Sequence, residues 1–166
     1  RTFSHAILEE LAHEASVPVI NGLTDLLHPC QILADLQTLA ERGLDLGSLT
    51  LAFVGDGNNM VNSWLNAAAH LGFHFRLACP AGYEPDATVL ARAQGLRPGR
   101  IEILREPAAA VAGADAIYTD VWTSMGQESE SERRRAAFRG YQVDAALVRQ
   151  ARPGALVMHC LPAHRG

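Results

Sequence analysis

Apolar residues fall into two rhythms along this chain. Residues 4–15 carry Ile7, Leu8, Leu11, Ala12 and Ala15 at helical spacing, which predicts a helix with Ser4 as its N-cap. A second helical pattern runs through Ile32, Leu33, Leu36 and Leu39. It opens at Pro29, whose fixed φ suits a first helical position, and closes at Gly43 after Arg42. From Leu49 onward the rhythm becomes short apolar run, polar or glycine-bearing turn, helix, and then the same again. It predicts strands at 49–54, 73–78, 100–104, 116–119 and 155–158, with helices between them at 59–71, 86–93, 107–112 and 144–151. Such alternation builds βαβ units, so the expected fold class is α/β: a doubly wound, mostly parallel Rossmann-like sheet with helices on both faces.

Composition narrows the class. With 166 residues, 48% of them hydrophobic, the chain can bury an ordinary single-domain core. The net charge of -4 and the scatter of arginines argue against a nucleic-acid partner. Arg133, Arg134 and Arg135 form the one basic cluster, and after Glu128, Glu130 and Glu132 they read as a solvated helix face. Cys30, Cys79 and Cys160 lack metal-ligand spacing and an even count, which fits reduced thiols in a cytoplasmic protein; no metal is expected. No apolar run approaches the roughly 20 residues of a membrane span, and residues 1–20 lack the layout of a signal peptide. A start at Arg1 and a stop at Gly166, where an α/β protein would add a covering helix, lead us to expect a piece of a longer protein.

Candidate chemistry gathers at predicted strand ends. His159-Cys160-Leu161-Pro162 follows the last strand, and the carboxyl edge of an open α/β sheet is where ligands bind. Val54-Gly55-Asp56-Gly57-Asn58-Asn59-Met60 ends the first strand, but Met60 stands where a dinucleotide fingerprint has its third glycine. The next strand ends in Leu77-Ala78-Cys79 without the acidic residue that holds a ribose, so NAD is not expected. The glycines still allow a sharp turn at a ligand rim, where Asn59 offers donor and acceptor. His28-Pro29-Cys30-Gln31 opens a helix with His28 and Gln31 on one face of its first turn. Histidine can donate to a carbonyl and a glutamine oxygen can accept from an amide NH2, a pairing that suits a substrate carrying an amide. Asp120-Val121-Trp122-Thr123-Ser124-Met125-Gly126 offers a carboxylate for an ammonium group, and beyond it a hydroxyl and backbone amides for a carboxylate; together they match a zwitterionic amino acid. Each motif taken alone also fits a plain structural role, as a helix start, a turn cap or a buried thiol.

In order and spacing, these four motifs resemble those of the ornithine carbamoyltransferases. The resemblance spans essentially the whole chain, including Val19-Ile20-Asn21-Gly22-Leu23 and Gly82-Tyr83-Glu84-Pro85-Asp86. His-Pro-Cys-Gln resembles the wider carbamoyltransferase family, whereas Ser-Met-Gly and His-Cys-Leu-Pro point to ornithine as acceptor. The resemblance implies transfer of the carbamoyl group of carbamoyl phosphate to the side-chain amine of L-ornithine, giving citrulline and phosphate with no metal or organic cofactor. By the same resemblance Arg1 and His28 would polarise the carbamoyl oxygen, and Gln31 with main-chain carbonyls near Cys160 and Leu161 would receive its NH2. Ornithine would lie across Asn59, Asp120, Ser124 and Met125, and Asp120 and Cys160 are the candidates for handling the amine's proton. The catalytic set is thus Arg1, His28, Asp120 and Cys160.

The resemblance also divides the chain. Residues 1–27 would be a remnant of the carbamoyl-phosphate domain, 28–44 an interdomain bridging helix and 45–166 the ornithine-binding domain. The family's phosphate-gripping Ser-x-Arg-Thr segment and an arginine on its carboxyl-terminal helix have no counterpart here, so the chain alone is expected to turn over little. The family's parent enzyme is expected to be a homotrimer or a multiple of trimers. The rival readings are a sibling carbamoyltransferase with another amine acceptor and a non-catalytic amino-acid-binding module.

Overall fold

The structure, a computed structural model, describes residues 1–123 and 130–163. Its centre is a five-stranded sheet in which each adjacent pair is parallel. The strands are β1 (Thr50–Val54), β2 (His74–Ala78), β3 (Ile101–Leu104), β4 (Ala116–Thr119) and β5 (Leu156–His159), in spatial order β3-β2-β1-β4-β5. The chain winds outward from β1 to β3, then returns to the other side of β1 to place β4 and β5. That reversal leaves a topological switch point between β1 and β4, and a crevice outside the strands' carboxyl ends is the expected binding place.

The helices are α1 (His5–Glu14), α2 (Pro29–Glu41), α3 (Asn59–Leu71), α4 (Ala87–Leu96), α5 (Pro107–Val111), α6 (Ser131–Ala137) and α7 (Ala145–Val148). Side chains alternate across a strand, so β1 sends Leu51 and Phe53 to one face and Ala52 and Val54 to the other. On the first face Phe53, Phe75 and Tyr118 pack with Trp64 and Met60 of α3 and Leu36 and Leu39 of α2. On the second, small residues admit α5 and α7 through Ala110, Val111 and Leu147. The expected doubly wound class is therefore observed, with predicted strand limits shifted by a residue at most.

Some boundaries differ. The last helix is shorter than 144–151 because Asp144 caps it at Leu147 N and Val148 already ends it. Ser4 stands at the N-cap of α1 without a side-chain cap bond; Asp25 supplies the acceptor to His5 N at 2.9 Å. That helix buries none of its residues, and Ile7 and Leu11 stay more than half exposed.

The arginine triplet is the clearest correction. It lies on α6, but Arg134 is only 6% exposed, because a charged guanidinium can be buried where a carboxylate and a carbonyl meet it. Those partners are Asp56 and Trp122. Among the described residues, no helix is long and apolar enough to cross a membrane.

Candidate active site

Strand register sets the level of the site. Val54 pairs with Thr119, and Thr119 with His159, so Gly55, Asp120 and Cys160 leave the sheet side by side. Arg1, His28, Asn59, Asp120, Cys160 and Leu161, six of the residues singled out from sequence, line one open cleft of about 1200 Å³ there. Gln31 is not among its lining residues, since its Nε2 turns to Asp35 Oδ1 at 3.0 Å. Ser124 and Met125 lie outside the described residues.

Asp120 is held from three sides. Its Oδ1 accepts the Val121 N–H at 2.7 Å, its Oδ2 accepts Asn58 Nδ2 at 2.7 Å, and the Cys160 thiol lies beside it. Burial and then the Asp120 charge push the Cys160 thiol far up, so it stays protonated and offers an S–H for hydrogen bonding rather than a thiolate base. Cys160 is 6% exposed and the Leu161-Pro162 peptide after it is cis. Asp120, His159 and Cys160 bring one ligand atom each within 4.8 Å of one another, an O, N and S set of the kind that can hold zinc.

His28 is the N-cap residue of α2, and its N–H donates to Ser63 Oγ at 2.7 Å. Burial lowers its imidazole from the ordinary value and the nearby Arg1 lowers it further, against weaker opposing effects of Gly22, Asp35 and Asp120. At neutral pH the ring is therefore neutral, able to donate to a carbonyl oxygen without carrying charge into the site.

The first turns of α3 hold the opposite wall. Asn59 Nδ2 donates to Thr24 O at 2.7 Å and Asn62 Nδ2 to Leu26 O at 3.1 Å. With the Ser63 contact to His28, one helix face thus fixes the segment that carries His28. Arg1 reaches the cleft because the neighbouring chain is tied back, Thr2 N to Leu23 O and Asp25 N to Phe3 O.

Three arrangements escaped the sequence reading. Asn58, beside Asn59, directly precedes a helix, and an asparagine there is a cap whose amide nitrogen remains available. Asp35 and Tyr118 form a buried bond of 2.8 Å beneath the site, and no local pattern joins residues so far apart. Arg134 and Asp56 pair at 2.9 Å in the same way.

Gly57 explains why the turn after β1 needs a glycine there. Its N–H donates to Tyr83 O at 2.9 Å, and a Cβ on it would fall 2.3 Å from Pro85 N and 2.4 Å from Glu84 C. Both are backbone atoms, which cannot rotate away. We expect Gly57→Ala to cost about 3 kcal/mol or more in denaturant titrations; a loss below about 1 kcal/mol would show that the two turns separate freely.

Thiol chemistry checks the burial pattern. Cys30 is exposed, whereas burial pushes the Cys79 thiol up to about 11 and keeps Cys160 protonated. A disulfide reagent at mildly alkaline pH should label one thiol per folded chain, Cys30, and the other two only on unfolding. Fast labelling of Cys160 would contradict its burial.

Two family models match this chain. The Asp/Orn binding domain of aspartate/ornithine carbamoyltransferase matches residues 47–166, and the carbamoyl-P binding domain matches residues 1–41. The ornithine carbamoyltransferase of Syntrophus aciditrophicus is 56% identical over all of this chain and 55% of its own length, and that of Geobacter sulfurreducens 57% over all of this chain and 55% of its own. The chain therefore spans about half the length of these curated relatives. Among solved structures, ornithine carbamoyltransferase from Pyrococcus furiosus superposes with a TM-score of 0.94 at 48% identity, covering 100% of this chain and 54% of that one. The anabolic enzyme from Campylobacter jejuni gives 0.94 at 38% identity, with 100% and 56% covered. The sheet, the cleft at its switch point and these matches together make the chain a member of the aspartate/ornithine carbamoyltransferase family.

Proposed function

We propose that this chain is the ornithine-side portion of an ornithine carbamoyltransferase. The observation that carries the reading is the cleft in which the Asp120 carboxylate, the protonated Cys160 thiol and the neutral His28 ring meet, in a chain whose relatives bear that name. The amine nitrogen of L-ornithine attacks the carbonyl carbon of carbamoyl phosphate, a C–N bond forms, the bond to the phosphate oxygen breaks, and the nitrogen loses a proton. An amine of this type has an unperturbed pKa of about 10.4, so it arrives as an ammonium and must be deprotonated before it attacks. Cys160, already protonated, suits orientation of the amine rather than proton uptake, which leaves Asp120 as the group that pairs with the ammonium and passes its proton on. Arg1 and His28 supply donors for the developing oxyanion. Asn59, Ser124, Met125 and Leu161 complete the substrate contacts, Gln31 standing outside the cleft lining with its amide nitrogen on Asp35, and the reaction calls for no cofactor or metal.

The exposed apolar side chains of residues 1–33 support a second part of the reading. Phe3, Ile7, Leu11 and Ile20 are 55–79% exposed, and such a surface fits a face that docks onto more protein. In this reading residues 1–27 belong to the carbamoyl-phosphate domain, 28–44 bridge, and 45–166 bind ornithine. The parent enzyme is a homotrimer or a multiple of trimers in the cytoplasm, where the three free thiols are at home.

The deciding assay is colorimetric detection of ureido product from carbamoyl phosphate and a panel of amines, run on the full reading frame that contains this chain. Product with L-ornithine, and none with aspartate, putrescine or an acylated ornithine, is the expected result. No product from the folded full-length protein overturns the reading.

A further inference from the structure

We propose that Asn58 is a positioning residue whose side-chain amide fixes the orientation of the Asp120 carboxylate, an inference that rests on the function proposed above. The amide cannot turn either way. Its Oδ1 accepts the Met60 N–H at 3.0 Å and the Val61 N–H at 3.3 Å, capping α3. Both partners are donors, so the oxygen must face them and Nδ2 must face outward. There it meets Asp120 Oδ2 at 2.7 Å. The helix start thus selects which end of the amide is shown to the carboxylate.

The consequence lies on the other oxygen. With Oδ2 engaged by Asn58 and Oδ1 bonded to the Val121 N–H, the carboxylate plane has no freedom to rotate, and its unused lone pairs point in fixed directions. An ammonium or amine entering the cleft then meets an acceptor already aligned, which removes an ordering cost from the reaction. Asn58 touches Asp120 rather than the reacting atoms, and therefore positions.

Capping and positioning can be separated because aspartate and asparagine cap helices about equally well. Asn58→Asp keeps an acceptor for Met60 N and Val61 N but turns a second carboxylate oxygen onto Asp120 Oδ2, replacing a bond by a like-charge contact. In the full reading frame we expect kcat/KM for L-ornithine to fall about 100-fold, the KM for carbamoyl phosphate to stay within about threefold, and the melting temperature to move by no more than about 5 °C. Wild-type kinetics for both substrates overturn the proposal.

Should Asn58→Asp fail to fold, Asn58→Ser decides. Its hydroxyl still caps the helix but is too short to reach Asp120 as well, and a roughly 10-fold loss confined to L-ornithine is expected. Unchanged kinetics overturn the proposal again. Absence of turnover in the wild-type protein would instead defeat the functional reading. The positioning claim is then read from a crystal structure of Asn58→Ser, where Asp120 is expected to leave its wild-type rotamer and an unmoved carboxylate overturns it.

Discussion

Asp120→Asn in the full reading frame is expected to lower kcat/KM for L-ornithine by about 10³-fold or more, the upper part of what a positioned acid or base contributes. Two losses combine. The carboxylate that pairs with the substrate ammonium disappears, and the replacement amide brings a donor into a place built for acceptors. Val121 N–H and Asn58 Nδ2, each 2.7 Å from a different Asp120 oxygen, both donate, so one must face the new NH2 group and the side chain must turn out of plane. The fold has no comparable stake in this change, because Asp120 is only partly buried at the rim. The melting temperature should therefore shift by about 5 °C at most. Turnover within about tenfold of wild type would show that another group handles the amine, and would remove Asp120 from the mechanism.

The architecture was legible because a buried parallel sheet writes itself as uninterrupted apolar runs. The runs ending at Val54, Thr119 and Met158 stand out between glycine-bearing turns and amphipathic helices, that at 73–78 alternates around His74 and Arg76, and each became a strand within a residue of its expected limit. The rim chemistry was legible for a related reason. Side chains directly after those runs must leave the sheet at its carboxyl edge, so Asp120 and Cys160 could be placed together before their register was known. His28 joined them because Pro29 marks the start of a helix.

What stayed hidden depends on sequence-distant partners. Gln31 and Asp35 stand four apart on α2, a spacing at which such side chains bond, so that contact was open to sequence reasoning; what no local pattern shows is that Tyr118, a strand residue far along the chain, buries Asp35 beneath it. The apolar spacing of Ile7 and Leu11 correctly marked a helix, but periodicity reports that a stripe exists and not what covers it. Arg134 misled for the opposite reason. Charge runs are usually solvated, and its neighbours Arg133 and Arg135 are exposed, yet one helical position of the three turns inward.

That inward turn carries the second large effect. Arg134 Nη1 donates to Asp56 Oδ2 at 2.9 Å and to Trp122 O at 3.0 Å, its Nε is 3.6 Å from Glu130, and its guanidinium lies 5.0 Å from the Tyr83 ring centre. Both members of the Asp56 pair are less than 10% exposed, at 7% and 8% for the side chains. Removing one partner of such a pair strands the other, so Arg134→Met should destabilise the chain by about 3–5 kcal/mol at neutral pH.

The loss should also depend on pH. Burial raises the Asp56 carboxyl above its ordinary value even though Arg134 pulls it down. The folded state therefore binds that proton more tightly than the unfolded chain does, and this contribution to folding is fully present below the unfolded value and lost as pH rises through the folded one. Without Arg134 the folded value climbs further, so the stability deficit of the variant should shrink as pH falls from about 7.5 toward about 5. Denaturant titrations across that range measure it. Adding Asp56→Asn to Arg134→Met, which removes the stranded charge, should recover part of the loss at neutral pH and flatten the pH dependence. A deficit of equal size at both ends of the range would mean that Arg134 stabilises by packing on Tyr83 and by its bond to Trp122 O, with the Asp56 charge playing no part.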